Sequence, residues 1–325
     1  MTSPADAWLG VAVMVLASVG CSDSGTPSTA STSSSASDAS SSSSTSGAGA
    51  GGAGGSSACP QCAAPVEAGT VANPAIVEAS GIVASQSHPG AFYVHNDSGD
   101  SARFFAVDDK GADLGSYEVE GATAVDWEDI ARGPCADPSK SCVFLADMGD
   151  NAVARTDYVI YRVEEPATLA AGAHVVSGDA LHFVYPDGSH NAEALLFDPK
   201  IGALVIITKN ANESGIYAFA PPFDTGKTAT VARLGTAQVP DILPLVTSAD
   251  LSPDRSALLV RTYGSVWRYE VGADVAIETA LTTTPCLLTT PTEPQGEAVA
   301  WRTDGSGFVT VSEGVKPPLF SVSCK

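Results

Sequence analysis

EALLFDPKIGALVIITKN, residues 193–210, holds a strand, a turn and a second strand in eighteen residues. An acid opens a short apolar run. Asp198, Pro199 and Gly202 then supply turn chemistry: a side-chain acceptor, a preset φ and a residue free to take positive φ. ALVIIT follows, apolar and β-branched throughout, as a strand buried on both faces requires.

The pattern recurs as SGIVASQSHPGAFYVHND (80–97), EDIARGPCADPSKSCVFLADMGD (128–150), DLSPDRSALLVRTYG (250–264) and EAVAWRTDGSGFVTVSEG (297–314). Each is followed by a third short strand carrying an aromatic residue: RFFAVD, VIYRVE, IYAFAP, VWRYEV and LFSVSC. A fourth is visible in LGSYEVEG (114–121) and TVARLGT (230–236). Units of four antiparallel strands, repeating every 47 to 65 residues, predict an all-β, five-bladed β-propeller over residues 64–325. Six blades is the alternative, should the long second unit hide another; a sandwich would not require five matching units. The fifth unit ends after three strands, so an N-terminal strand must close the ring. GTVANPAIV (69–77) is the candidate, and that closure brings Cys59 or Cys62 near Cys324.

Residues 7–19 form an apolar run of 13, the length of a signal-peptide core and too short to span a bilayer. It ends at Gly20 and Cys21, which resembles a bacterial lipobox; residues 1–21 therefore read as an export signal with Cys21 as the lipidation site. Residues 22–63 read as a Ser/Gly-rich, low-complexity tether, too poor in apolar surface to fold. Lipidation implies a lipoprotein at the outer membrane or cell surface of a bacterial envelope, touching the membrane only through its anchor; without it the product is secreted. Six further cysteines suit three disulfides in an oxidising compartment, with Cys135 and Cys142, flanking one turn, the clearest pair. A net charge of −21, from 16 basic and 37 acidic residues, excludes nucleic acid as a partner. A monomer is expected.

Aligning the units brings Ser80, Glu128, Glu193, Asp250 and Glu297 into one column at the start of each first strand, with Glu78 two residues before Ser80 on the same face. First strands line a propeller's channel, so these oxygens would converge on it. Like charges at close range call for protonation or a cation, and hard oxygen ligands point to Ca²⁺. Second strands end at the same mouth, placing His95, Asn96, Asp97, Asp147, Asp150, Asn151, Lys209, Arg261 and Tyr263 on a rim for substrate or partner, with Ser312 and Glu313 beside them. Asp97 or Asp147 is the candidate general base to a metal-polarised water.

Acids from successive blades meeting an ion in the channel is similar to calcium-dependent apyrases, which are five-bladed, and to gluconolactonase-like, SdiA-regulated-type and esterase-like phytase propellers. EASGI (78–82) with VHNDSGD (94–100) resembles the first blade of the SdiA-regulated type, and WEDIA (127–131) resembles a WEG-type segment of apyrases. The resemblance implies Ser80, Glu128, Glu193, Asp250 and Glu297 as ion ligands, and carries over no substrate site. Two functions follow as expectations. One is a calcium-bearing binding module for a small molecule, glycan or envelope protein. The other is a calcium-dependent hydrolase of small phosphoesters or lactones, although HExxH, GxSxG and phosphate-loop signatures are missing from the sequence.

Overall fold

The computed structural model describes residues 59–324. The export segment with Cys21, and the tether as far as residue 58, lie outside the described residues. Five sheets form a ring, a five-bladed β-propeller. From channel to rim, blade 1 is Ala79–Ala84, Ala91–Asn96, Arg103–Asp108 and Asp113–Val119. Blade 2 is Trp127–Pro134, Ser141–Asp147, Tyr158–Glu164 and Gly178–Val184. Blade 3 is Ala192–Asp198, Ala203–Thr208, Ser214–Phe219 and Ala232–Ala237. Blade 4 is Val246–Leu251, Ala257–Thr262, Val266–Glu270 and Cys286–Leu287, with the short helix Ile277–Ala280 before its last strand. Blade 5 is Gly296–Trp301, Gly307–Ser312 and Pro318–Ser323.

The outermost strand of blade 5 is Val66–Thr70, antiparallel to Pro318–Ser323. It begins earlier than the 69–77 stretch, whose later residues Val71 and Ile76 are fully buried on the way into blade 1. Cys62–Cys324 and Cys59–Cys286 fasten residues 59–62 to blades 5 and 4, and Cys135–Cys142 closes the first turn of blade 2. The extra length of unit two is not a sixth blade. Ala173–Val176 leaves it to run parallel to Asp113–Val119 as a fifth strand of blade 1, and Ala229–Thr230 from unit three extends blade 2 likewise. Each such strand ties a blade to the next unit along the chain.

Turn chemistry works as the sequence implies. In blade 3, Asp198 Oδ1 accepts from Lys200 N at 2.9 Å while Gly202 takes φ +63°. Asp137, Asp254 and Asp304 accept from the backbone two residues on in the matching turns of blades 2, 4 and 5.

The core is five apolar clusters, one between each pair of neighbouring blades. Phe144, Ile160 and Leu181 of blade 2 meet Leu195, Ile206 and Phe219 of blade 3. Both faces of every blade are covered, which is why the second strands are unbroken apolar runs. Truncating one of these aromatic residues to Ala would cost about 3–5 kcal/mol.

Inside the ring, Asp129 is buried among the first strands of blades 2, 3 and 4. Its carboxylate, 0 % exposed, accepts from Ile130 N and Leu195 N at 2.9 Å and from Ala249 N and the Ser248 hydroxyl at 3.3 Å. Gly81, Ala194 and Ala298 share its register and leave it room. One side chain thus binds blades 2, 3 and 4 together.

Candidate metal centre

Every first strand carries a bulge at the same place, with one residue left out of the ladder: Ser80, Glu128, Glu193, Thr247 and Glu297. A bulge turns its side chain away from regular alternation, here off the blade–blade faces. The column of acids therefore has a structural cause. Asp250 does not belong to it. It lies three residues further along its strand, level with Val83, Ala131, Leu196 and Ala300, and accepts from Trp301 N at 2.7 Å near the opposite mouth. The fourth member of the column is Thr247.

Two more columns surround the bulge. Two residues earlier stand Glu78, Asp126, Asn191, Leu245 and Gln295; just after the second strands stand Asp97, Met148, Lys209, Tyr263 and Glu313. Asp97, Asp126 and Glu128 each place a carboxylate oxygen so that all three lie within 4.8 Å of one another. Glu128 is 3 % exposed. Among the described residues, no hydrogen bond reaches the carboxylate of Glu128 or Asp126, and Asp97 accepts only from the adjacent Ser98 N at 2.5 Å. Gly149 makes the approach possible: a Cβ there would stand 2.2 Å from Glu128 Oε1 and 2.5 Å from Asp126 Oδ2.

The remaining acids are partnered. Lys209 Nζ donates to Glu193 Oε2 at 2.5 Å and to the Tyr263 hydroxyl at 2.6 Å, and Asn191 donates to Glu193 Oε1 at 3.1 Å. Gln295 Nε2 donates to Glu297 at 2.9 Å and to Glu313 at 2.6 Å. The Ser80 hydroxyl is spent on the Glu128 backbone oxygen, at 2.6 Å. Glu78 is exposed at the lip.

The electrostatics are those of crowded acid. Burial, then the charge of Asp97, pushes Asp126 up to about 7 against the pull of Arg155. Burial and neighbouring Glu193, Asp97 and Asp126 raise Glu128 well above the carboxylate range. Burial also lifts Glu193, although Lys209 opposes it. Burial brings Glu297 to about 8 and, helped by Asp97 and Glu78, Glu313 to about 7. Burial works against the Lys209 charge too, but Glu193 and Tyr263 outweigh it and its pKa rises.

The expected rim divides. Asp97, Lys209 and Tyr263 face the well, and Asn151 is exposed in a loop above it. His95 is fully buried, with Nδ1 bonded to Asn96 O at 2.8 Å and its ring edge-on to Trp127, and burial lowers its pKa. Asn96 and Asp147 occupy equivalent positions and do one job: Asn96 Oδ1 accepts from Val77 N and Glu78 N, and Asp147 from Val125 N and Asp126 N. Asp147 thereby orients the residue beside the trio, and pairs with Arg155 at 2.7 Å, so it is not placed as a general base. Asp150 accepts from Ala154 N, Arg155 N and the Tyr158 hydroxyl, shaping a loop. Arg261 is buried against Glu293 and Ala298 O. Sequence reasoning missed Asp126 and undervalued Glu313. The signal for Asp126 was present, since it precedes Glu128 by the same two residues that separate Glu78 from Ser80.

Three closely set carboxylates, two with no donor among the described residues and one with only its neighbour's amide, can hold a hard cation, with open positions for water or a ligand. No protein-family model matches the chain, and no curated protein matches it in sequence.

Proposed function

We propose that this is an exported, lipid-anchored propeller that binds Ca²⁺ at one mouth of its channel and serves as a calcium-dependent binding module at the cell envelope. The observation that carries the reading is the convergence of Asp97, Asp126 and Glu128 within 4.8 Å, with the Ser98 amide of Asp97 their one donor among the described residues. Oxygens that close can share one cation, and an all-oxygen set with open positions suits Ca²⁺, which takes about six to eight oxygen ligands at roughly 2.4 Å in flexible geometry. Glu193, Glu297 and Glu313 would form an outer layer that lowers the potential of the well, with Lys209 limiting it. Asn151, Tyr263 and the open coordination positions would present the ion to a glycan, peptide or small-molecule carboxylate.

The test is thermal unfolding of the full chain with Ca²⁺, with Mg²⁺ and with chelator. At a hundred times Kd, Ca²⁺ should add about 2.7 kcal/mol, a rise of roughly 5–10 °C for a domain of this size. Glu128→Gln should lose that gain. An equal gain from Mg²⁺, or a full Ca²⁺ response in Glu128→Gln, would sink the assignment. Turnover of phosphoesters or lactones by the Ca²⁺-loaded protein would replace the binding module with the hydrolase.

A further inference from the structure

The opposite mouth carries different chemistry. Asp250, which leaves the acid column, faces a cavity of about 180 Å³ lined also by Arg132, Gly133, Phe197 and Ser252, at the far ends of the first strands of blades 2, 3 and 4. Arg132 donates one bond among the described residues, Nη1 to Ala84 O at 3.2 Å, and joins no ion pair there. A guanidinium has five N–H donors, so most of its capacity points elsewhere. Asp250 accepts from Trp301 N through Oδ2. Burial pushes Asp250 up to about 7, against the pull of Trp301 N and of the Arg132 charge, and no ion pair joins Arg132 to Asp250 among the described residues. Phe197 is half-buried and held flat, parallel to Phe144 at 6.4 Å, and a Cβ on Gly133 would press on it at 2.9 Å.

We infer that this cavity binds a small zwitterion of the α-amino-acid type, its carboxylate on Arg132, its ammonium on Asp250 and its side chain over Phe197. Half-buried opposite charges that share a cavity without pairing leave desolvation uncompensated. A ligand with both charges satisfies both, and Arg offers a carboxylate two parallel bonds. The volume confines the side chain to one about the size of Ala, Ser or Val. The cavity's lining shares no residue with the acid trio, so the inference does not rest on calcium.

Titration calorimetry of the full chain, in Ca²⁺ and separately in chelator, would use L-alanine, L-serine and L-valine against propionate and ethylamine. The amino acids should bind equally with and without Ca²⁺, and the single-charge analogues about tenfold or more weaker, 1.4 kcal/mol. Arg132→Gln and Asp250→Asn should each weaken amino-acid binding at least about tenfold; Asn keeps an acceptor for Trp301 N. No binding of any amino acid at about 10 mM, propionate binding as tightly as alanine, or unchanged binding in both variants would each overturn it. Should a variant fail to fold, the ligand panel on the unaltered protein decides.

Discussion

Replacing Glu297 by Gln should stabilise the calcium-free protein at pH 8, although it deletes a charge from a proposed binding site. Glu297 is 5 % exposed, and burial with the nearby Glu193 and Glu313 places its folded pKa at about 8 against an ordinary 4.5. The folded state therefore holds a proton there that the unfolded chain has already lost. Stability from this group is intact below pH 4.5 and is lost as pH rises through 8. The difference of roughly 3.5, at about 1.4 kcal/mol each, comes to about 5 kcal/mol, of which about 4 has been lost at pH 8. Gln keeps the acceptor for Gln295 Nε2 and has no charge to desolvate. In chelator, urea unfolding should show Glu297→Gln more stable than the unaltered protein by as much as about 4 kcal/mol at pH 8 and nearly equal at pH 5. Ca²⁺ should narrow the gap at pH 8, because the ion offsets the repulsion that the substitution removes. A variant less stable in chelator at pH 8, or a difference independent of pH, would show that Glu297 is held ionised by partners and that the well is not short of positive charge.

Gly149→Ala should leave the fold intact, since Gly149 takes no unusual φ, but its methyl group would displace Glu128 and Asp126 by about 1 Å and weaken calcium binding tenfold or more; calorimetric affinity equal to the unaltered protein's would contradict the trio. Asp129→Ala should cost about 3–5 kcal/mol in urea unfolding, because three buried backbone donors lose their acceptor, and a cost below about 1 kcal/mol would mean that water replaces the carboxylate. The ring-closing disulfides should not act independently. With Cys59–Cys286 intact, the path joining Cys62 to Cys324 runs through three residues on one side and 38 on the other. Loop entropy for about 41 residues gives about 4 kcal/mol for Cys62→Ser with Cys324→Ser, and about 9 when the second bridge also goes; a joint loss equal to the sum of the two single losses would refute the coupling.

The blades were legible because each repeats two independent signals, an apolar second strand and a turn led by Asp or, in blade 1, by Ser85, and the two must agree in phase. The exchanged strands were not: Ala173–Val176 and Ala229–Thr230 carry no pattern of their own and are strands only because a neighbouring unit offers an edge. The site failed in a more instructive way. Matching acid to acid selected Asp250, whereas the bulge sets two residues against one on the partner strand, a count that depends on pairing and leaves no mark in composition. Thr247, which offers a hydroxyl and no acid to match, holds the equivalent place. Which acids lack donors is also a three-dimensional fact. Glu193 and Glu128 are indistinguishable in sequence, but Lys209 serves one of them.

A cation site in the well would depend on that distinction. A symmetric ring of partnered acids would be a structural ornament, each charge compensated and none requiring a ligand. Here compensation is lopsided: Lys209, Asn191 and Gln295 serve blades 3 and 5, while Asp97, Asp126 and Glu128 at blades 1 and 2 share a single donor among the described residues, the Ser98 amide. Gly149 allows that crowding and Asp147 fixes its geometry by holding Val125 N and Asp126 N. The five bulges belong to the fold, since all the blades share them. The site comes from what three of the surrounding positions fail to provide, and a cation is the simplest species that supplies it.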